Sequence, residues 1–365
     1  MKRAFHAAPG QRGVSLVELL VGLVISMLTV LVITQVFLLS EQQRRSPAAG
    51  ADAQTNGILA LDALQRDVRQ SGYGLSGGLW IGTCTTAPST GSAVGLAGLT
   101  LAPLVIHAGS GLTPSDSLEI LSSGKIDAAM QIPLAQSHGG GGSALVIPAT
   151  VGVETGDWLI VSTKTGSACD AFQAQALSAS PPWEITPDAS VRAYPEGSLL
   201  SNMGAAPIRR RWSIAGTGSG EFALQMTDLA TDTAAPDAKD AYPGIVLLRA
   251  LYAKDSNGDG VIDTYDTAVP ASHTEWTQVL GVRVALVVRS PQWNKEPVTA
   301  HALQWDLGTA TAPGSSACAS EATHQCLGLS LTHAGASGSE DWKHYRYRMY
   351  ESMIPLRNLI WKATD

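Results

Sequence analysis

"GVSLVELLVGLVISMLTVLVITQVFLL", residues 13–39, is an almost unbroken apolar run with one carboxylate, Glu18, near its start. From Val14 to Leu39 the run is longer than the roughly 20 residues that cross a bilayer as a helix. Lys2, Arg3 and Arg12 precede it with no acid among them, which favours a cytoplasmic N-terminus. A cleaved secretory signal fits less well. The stretch is about twice the usual length of a signal's apolar region, and small-residue cleavage candidates, around Ala49 and Ala51, lie well past its end. A plain anchor leaves Glu18 unexplained, because a carboxylate in hydrocarbon costs a few kcal/mol and normally has a partner.

Composition narrows the classes. Only 15% of the 365 residues are charged, and 37 Gly and 19 Pro suit short strands joined by turns. The net charge is −7, and loss of the three cations before residue 13 would take it to −10. An acidic chain with no basic run is poorly made for nucleic acid, whose binding rests on neutralised phosphates.

The leader and the run resemble a type IV prepilin. In "QRGVSLVELL" a short basic leader ends at Gly13, Val14 follows, and Glu18 stands five residues after the glycine. The resemblance implies cleavage after Gly13 by a prepilin peptidase and N-methylation of Val14. It also implies pairing of Glu18 with the α-amine of Val14 in a neighbouring subunit, which would set register between bundled helices. Val14 replaces the Phe with which most members begin, and Gln35 stands where major pilins tend to carry Pro. Both lean towards a minor subunit.

Beyond the run, Pro47 and Gly50 predict a break or kink. Helical spacing resumes at Ile58, Leu61, Leu64 and Val68 and ends at Gly72, so those four side chains should pack on a globular domain. From about residue 75 the pattern is that of strands. "LTLAPLVI", "DSLEIL", "ALVIPATVGV", "DWLIVS", "RRRWSIAG", "EFALQM", "GIVLLRALYA", "VLGVRVALVVRS" and "YRYRMYESMIPL" are apolar or alternating runs between turn-forming clusters. Arg283 and Arg289 predict a half-buried strand. The expected fold is α+β, a long N-terminal helix packed on a mainly antiparallel, pilin-like β domain. Its divisions are a leader (1–13), a membrane and assembly helix (14–45), a kinked continuation (46–74) and a β-rich domain (75–365).

Cys84, Cys169, Cys318 and Cys326 fall in the part expected outside the inner membrane, where an even count favours disulfides. Cys318 with Cys326 would close a local hairpin and leave Cys84 with Cys169, although three connectivities are open. Zinc at Cys326 and His324 is the alternative, without a Cys-x-x-Cys spacing to support it.

"DSNGDGVIDTYD", residues 255–266, places side-chain oxygens at Asp255, Asn257, Asp259, Asp263 and Asp266. Gly260 stands at the sharp turn, and Val261 can offer its carbonyl. This is the oxygen-rich spacing that wraps Ca²⁺, with Asp where a bidentate Glu is usual. A polar turn is the bland alternative, and the flanks do not read as two helices.

Catalytic readings find little support. "HGGGG" at His138–Gly142 has no Gly-x-Ser-x-Gly elbow to serve, and "GTGSG" at 216–220 opens no helix. Trp158, Trp183, Trp212 and Trp276 read as packing residues. No enzyme is expected.

The calcium-like loop, the "W…VLGVRVALVVRS" that follows and the closing "YRYRMYESMIPLRN" are similar to PilW-type minor pilins, as is "LDALQRDVRQSGYG" after the anchor. That family's Cys soon after the Gly-Tyr pair stands here at Cys84. The resemblance implies a minor pilin that primes or caps a type IV pilus at its tip, with roles in twitching motility and cell adhesion. Its partners would be minor and major pilins, the peptidase, the inner membrane and a tip adhesin. It would sit in the inner membrane before assembly and afterwards display a periplasmic or extracellular domain. A minor pseudopilin of a type II secretion system and a pilus-borne adhesin are the alternatives.

Overall fold

Apolar periodicity changes along one helix, and the architecture follows from that change. The computed structural model describes residues 15–75, 82, 84–87, 94–110, 115–126, 131–166, 168–216, 221–230, 238–335 and 340–360. Two units are present, Met1–Ala51 and Asp52–Asp365. Helix α1, Leu16–Gln70, begins in the first and ends in the second. Its backbone stays helical through Pro47 and Gly50, so the predicted break is absent. A proline withholds one amide from the ladder, and the turns on either side carry the helix past it.

Within the second unit the buried stripe of α1 is Gly57, Ala60, Leu64 and Val68, with Leu61 at its margin. Ile58, which the spacing places on that stripe, is 51% exposed. The first half of the stripe is set one residue earlier, at Gly57 and Ala60, because Gly57 faces the ring of Tyr350 and Val288. A Cβ at Gly57 would lie 2.8 Å from Val288 Cγ2 and closer still to the tyrosine ring. The helix stops at Gln70, and Gly72 just beyond it takes a left-handed φ of +74°. Its amide donates to Leu121 O at 2.8 Å, and Asn358 Nδ2 caps the Ser71 carbonyl at 3.0 Å.

Strands follow in chain order. The first eight are β1 (Leu104–His107), β2 (Ser117–Ser122), β3 (Ile132–Pro133), β4 (Leu145–Ile147), β5 (Trp158–Ser162), β6 (Cys169–Leu177), β7 (Trp183–Pro187) and β8 (Leu199–Gly204). Next come β9 (Ile208–Gly216), β10 (Phe222–Asp228), β11 (Ala238–Pro243), β12 (Ile245–Lys254) and β13 (Thr264–Asp266). The last are β14 (Val279–Arg289), β15 (Leu303–Asp306), β16 (Ser316–Ala317), β17 (Gln325–Leu329) and β18 (Tyr347–Pro355). They form four sheets, in the orders β1-β2-β9-β10-β11, β3-β8-β5-β6-β7-β4, β13-β12-β14-β18 and β15-β17-β16. Neighbouring strands pair antiparallel throughout, as the α+β expectation required.

The sheet containing β12 and β14 separates two cores. Val282, Val284, Leu286 and Val288 pack with Ala60, Leu64 and Val68 of α1. Ala285 and Val287, on the opposite face, pack with Trp305, Leu331 and Trp342. β14 is therefore buried on both faces, not half-buried. Arg283 and Arg289 close the two ends of the second face. The Arg283 guanidinium lies 5.6 Å from the Tyr265 and Trp305 ring centres, and that of Arg289 lies 4.4 Å from Tyr345. Aromatic faces thus take cations that the strand alternation alone would leave in solvent. A third core, with Phe172, Leu159 and Ile185, fills the six-stranded sheet. Trp158, Trp212 and Trp276 are buried and Trp183 partly so.

Candidate functional site

Two features of the sequence point to function, and the structure places them in different units. The first is α1 between Leu16 and Phe37, long and apolar enough to cross a membrane, with none of its window buried within the protein. At 1.5 Å per residue these 22 residues extend about 33 Å, the thickness of a hydrocarbon core. Leu20, Val24, Leu28 and Leu31 are each more than half exposed, and so are Val17, Val21 and Ile25 around the other faces. Such a helix needs an apolar surround. Its hydroxyls bond back to the helix, Ser26 Oγ to Leu23 O at 2.8 Å, Thr29 Oγ1 to Ser26 O at 2.8 Å and Thr34 Oγ1 to Val30 O at 2.7 Å. Glu18 stands in the first turn, where the helix dipole favours an anion, and its side chain has no partner among the described residues. Gly13 and Val14, the expected processing site, lie outside the described residues.

The second feature is the loop 255–266, between β12 and β13. Asp255 is buried and organises it. Its two carboxylate oxygens accept the amides of Gly258 at 2.6 Å and Gly260 at 2.8 Å. Both glycines take φ values above +80°, a region that disfavours any side chain. Burial pushes the Asp255 carboxyl up, and the amides of Gly260, Gly258, Asp259 and Asn257 outweigh it, so the group sits below the usual carboxylate range. Asp259 Oδ1 accepts Val261 N at 2.7 Å, Asn257 Oδ1 accepts Asp259 N at 2.9 Å, and Asp263 Oδ2 accepts Ser256 N at 2.9 Å.

Asp255, Asn257, Asp259, Val261 and Asp263 thus share one hydrogen-bonded turn. Asp266 stands apart on β13, where Oδ2 meets Lys254 Nζ of β12 at 2.7 Å. The strand register, Lys254 opposite Thr264 and Tyr252 opposite Asp266, brings that pair together. It is invisible in a count along the loop.

The cysteines form Cys84–Cys169 and Cys318–Cys326. The second closes the turn between β16 and β17. Asp306 lies beside its sulfurs, and the Asp306 carboxylate receives His324 Nδ1 at 2.9 Å. With both sulfurs joined, the residues considered for zinc carry no thiolate. The His138–Gly142 stretch is a turn stitched by backbone pairing to Tyr194 and Val191. Residues 217–220 of the other glycine-rich stretch lie outside the described residues.

Comparison with known proteins reaches the C-terminal part. The family model described as "Type IV Pilus-assembly protein W" matches residues 211–358, less than half of the chain. The matched span carries the calcium-like loop, the β12–β14–β18 ladder and the hairpin disulfide. It leaves out the N-terminal helix and the first eight strands. Among curated proteins and among solved structures, nothing matches. The match to residues 211–358 supports a PilW-type family and points to type IV pilus assembly as the setting in which the chain works.

Proposed function

We propose that the chain is a minor pilin of a type IV pilus, held in the inner membrane by residues 16–37 until it enters the filament. The observation that carries this reading is an apolar helix exposed on all sides with one carboxylate, Glu18, in its first turn that has no partner among the described residues. The family match to residues 211–358 supports it from the other end of the chain. In this reading a peptidase cuts after Gly13 and the new α-amine of Val14 is methylated. The amine of one subunit then meets Glu18 of the next as the helices bundle, which removes the cost of a lone charge in an apolar bundle. The role is structural, in priming or capping, and involves no catalytic step. Mass spectrometry of sheared filaments beside the membrane fraction tests it. An N-methylated Val14 peptide in the filaments is expected, and an uncleaved leader in both fractions would overturn it.

The loop at 255–263 belongs to the same reading as a calcium site of the exposed domain. Asp255 already gathers the amides of Gly258 and Gly260, and Asp259 accepts the Val261 amide in the same loop. Asp255, Asn257, Asp259, Val261 and Asp263 would hold the ion, and Asp266 would remain with Lys254. Calcium would tie β12 to β13 by drawing three carboxylates together in one turn. Melting of the chain in detergent with chelator and with millimolar calcium tests the site. A higher Tm in calcium, abolished in the Asp255→Ala/Asp259→Ala variant, is expected, and equal Tm values would reduce the loop to a turn.

A further inference from the structure

β18 ends its sheet, with β14 on one side and, among the described residues, no strand on the other. Its pairing with β14 runs unbroken from Gly281 opposite Pro355 to Arg289 opposite Tyr347. Two bonds beyond the ends fix the phase of that ladder. Ser290 N donates to Arg346 O and Leu356 N to Leu280 O, each a pair in line with the register. Bonded pairs alternate in an antiparallel ladder. Arg348, Tyr350, Ser352 and Ile354 therefore spend their backbone groups on β14. Tyr347, Met349, Glu351 and Met353 turn theirs outward, and none of those has another backbone partner among the described residues.

An open row of this kind is usually blunted by shortness, a bulge or a proline. β18 has nine residues, about 30 Å, no register shift, and proline only as its last residue. Its one guard is charge. Arg346, Arg348 and Arg357 are exposed and have no carboxylate partner among the described residues. The single acid between them, Glu351, already holds Arg283 at 3.1 Å and the Trp305 indole N–H. In a chain of net charge −7 this edge is locally basic. Arg346 and Arg348 fall on one face of the strand, two residues apart. A second copy of the same edge brings no free carboxylate to these arginines, since its one acid, Glu351, is already engaged, so self-pairing gains nothing from charge, while an acidic strand is attracted.

We propose that β18 is a docking edge for an extended acidic segment of another polypeptide, added as a further strand beyond Tyr347–Pro355. Main-chain bonds to Tyr347, Met349, Glu351 and Met353 supply the attachment, and Arg346 with Arg348 select carboxylates on alternate residues of the incoming strand. The inference stands on the ladder and the charges and does not depend on the pilus reading.

Hydrogen exchange at single-amide resolution on the full chain in mild detergent tests it. The probe is a nine-residue peptide of alternating Thr and Glu, and the control carries Lys for Glu. In the free protein the outward amides of Tyr347, Met349, Glu351 and Met353 should exchange much faster than those of Arg348, Tyr350 and Ser352. The Glu peptide should protect them and the Lys peptide should not. Met349→Pro removes one outward N–H and no bond to β14, and should weaken the Glu peptide at least tenfold with unchanged circular dichroism. If that variant misfolds, Arg346→Glu/Arg348→Glu keeps the ladder and should reverse the preference between peptides. No protection by the Glu peptide would overturn the proposal, as would protection indifferent to these substitutions. Protection that rises with protein concentration alone would overturn it in favour of a second copy.

Discussion

One helix meets two environments. Between Leu16 and Phe37 the leucines and valines of α1 are exposed on every side, whereas between Gly57 and Val68 one stripe is sealed and the remainder is exposed. Leu16 is 77% exposed and Leu64 is fully buried. The same residue type therefore serves two purposes. In the second stretch the chain supplies its own apolar counterpart, from Val282 to Val288. In the first, none of the described residues covers the apolar side chains, and the helix is long and apolar enough to cross a membrane. A ring of apolar side chains describes the medium a helix expects, and a stripe describes the fold it joins.

The largest effect is expected at Leu64. Leu64→Ala should lower the stability of the second unit by about 2–5 kcal/mol, as core truncations do, and Leu28→Ala should leave its Tm unchanged. Equal effects in thermal melts would erase the distinction between stripe and ring. Gly57→Ala comes next. The added methyl would meet Tyr350 and Val288, and a cost of about 1–3 kcal/mol is expected from overpacking. Ile58→Ala, one residue away and half exposed, should cost less than about 1 kcal/mol.

Glu18→Ala acts on the exposed stretch. It should leave the Tm and leader cleavage as they are and reduce recovery in sheared filaments about tenfold, read by quantitative mass spectrometry. Normal recovery would remove the pairing argument. The smallest effect concerns the His324–Asp306 pair at the hairpin. Hydrogen bonding to Asp306 raises the His324 pKa above its usual 6.5, and hydrogen bonding to His324 lowers that of Asp306 below 3.8. Stability from the histidine is full below 6.5 and is lost as pH rises through its raised value. Stability from the aspartate is full above 3.8 and is lost as pH falls through its lowered value. Protection of the Cys318 amide, which donates to His324 O, should thus be greatest between about pH 4 and 6. His324→Gln should flatten that profile.

Much of this was legible in the chain. All nine apolar runs contain a strand, and β12, β14 and β18 lie almost where the runs placed them. Missed strands share a physical character. β6, "CDAFQAQAL", mixes Ala, Gln and Asp, and β16 is two exposed residues whose pairing to Cys326 and Gln325 defines it. Pairing partners distant in sequence, such as β5 with β8, decide such strands, and local pattern does not record them. In the loop, the turn at Gly260 was readable because a left-handed φ needs glycine. The withdrawal of Asp266 to Lys254 was not, because strand register sets it. On α1 Leu64 and Val68 lie on the expected stripe, but its start is Gly57 and Ala60, too small to register as hydrophobic signal, and the conspicuous Ile58 falls outside it.

The Cys84–Cys169 bridge has a mechanical consequence. It joins points 85 residues apart, the first soon after α1 and the second at the start of β6. A chain pulled by its N-terminal helix would pass tension across that covalent link and leave the enclosed strands, β1 to β5, outside the line of force. About 280–300 Å of contour length would be withheld from extension, at 3.3–3.6 Å per residue. Reduction would add that length to the force–extension curve in one step.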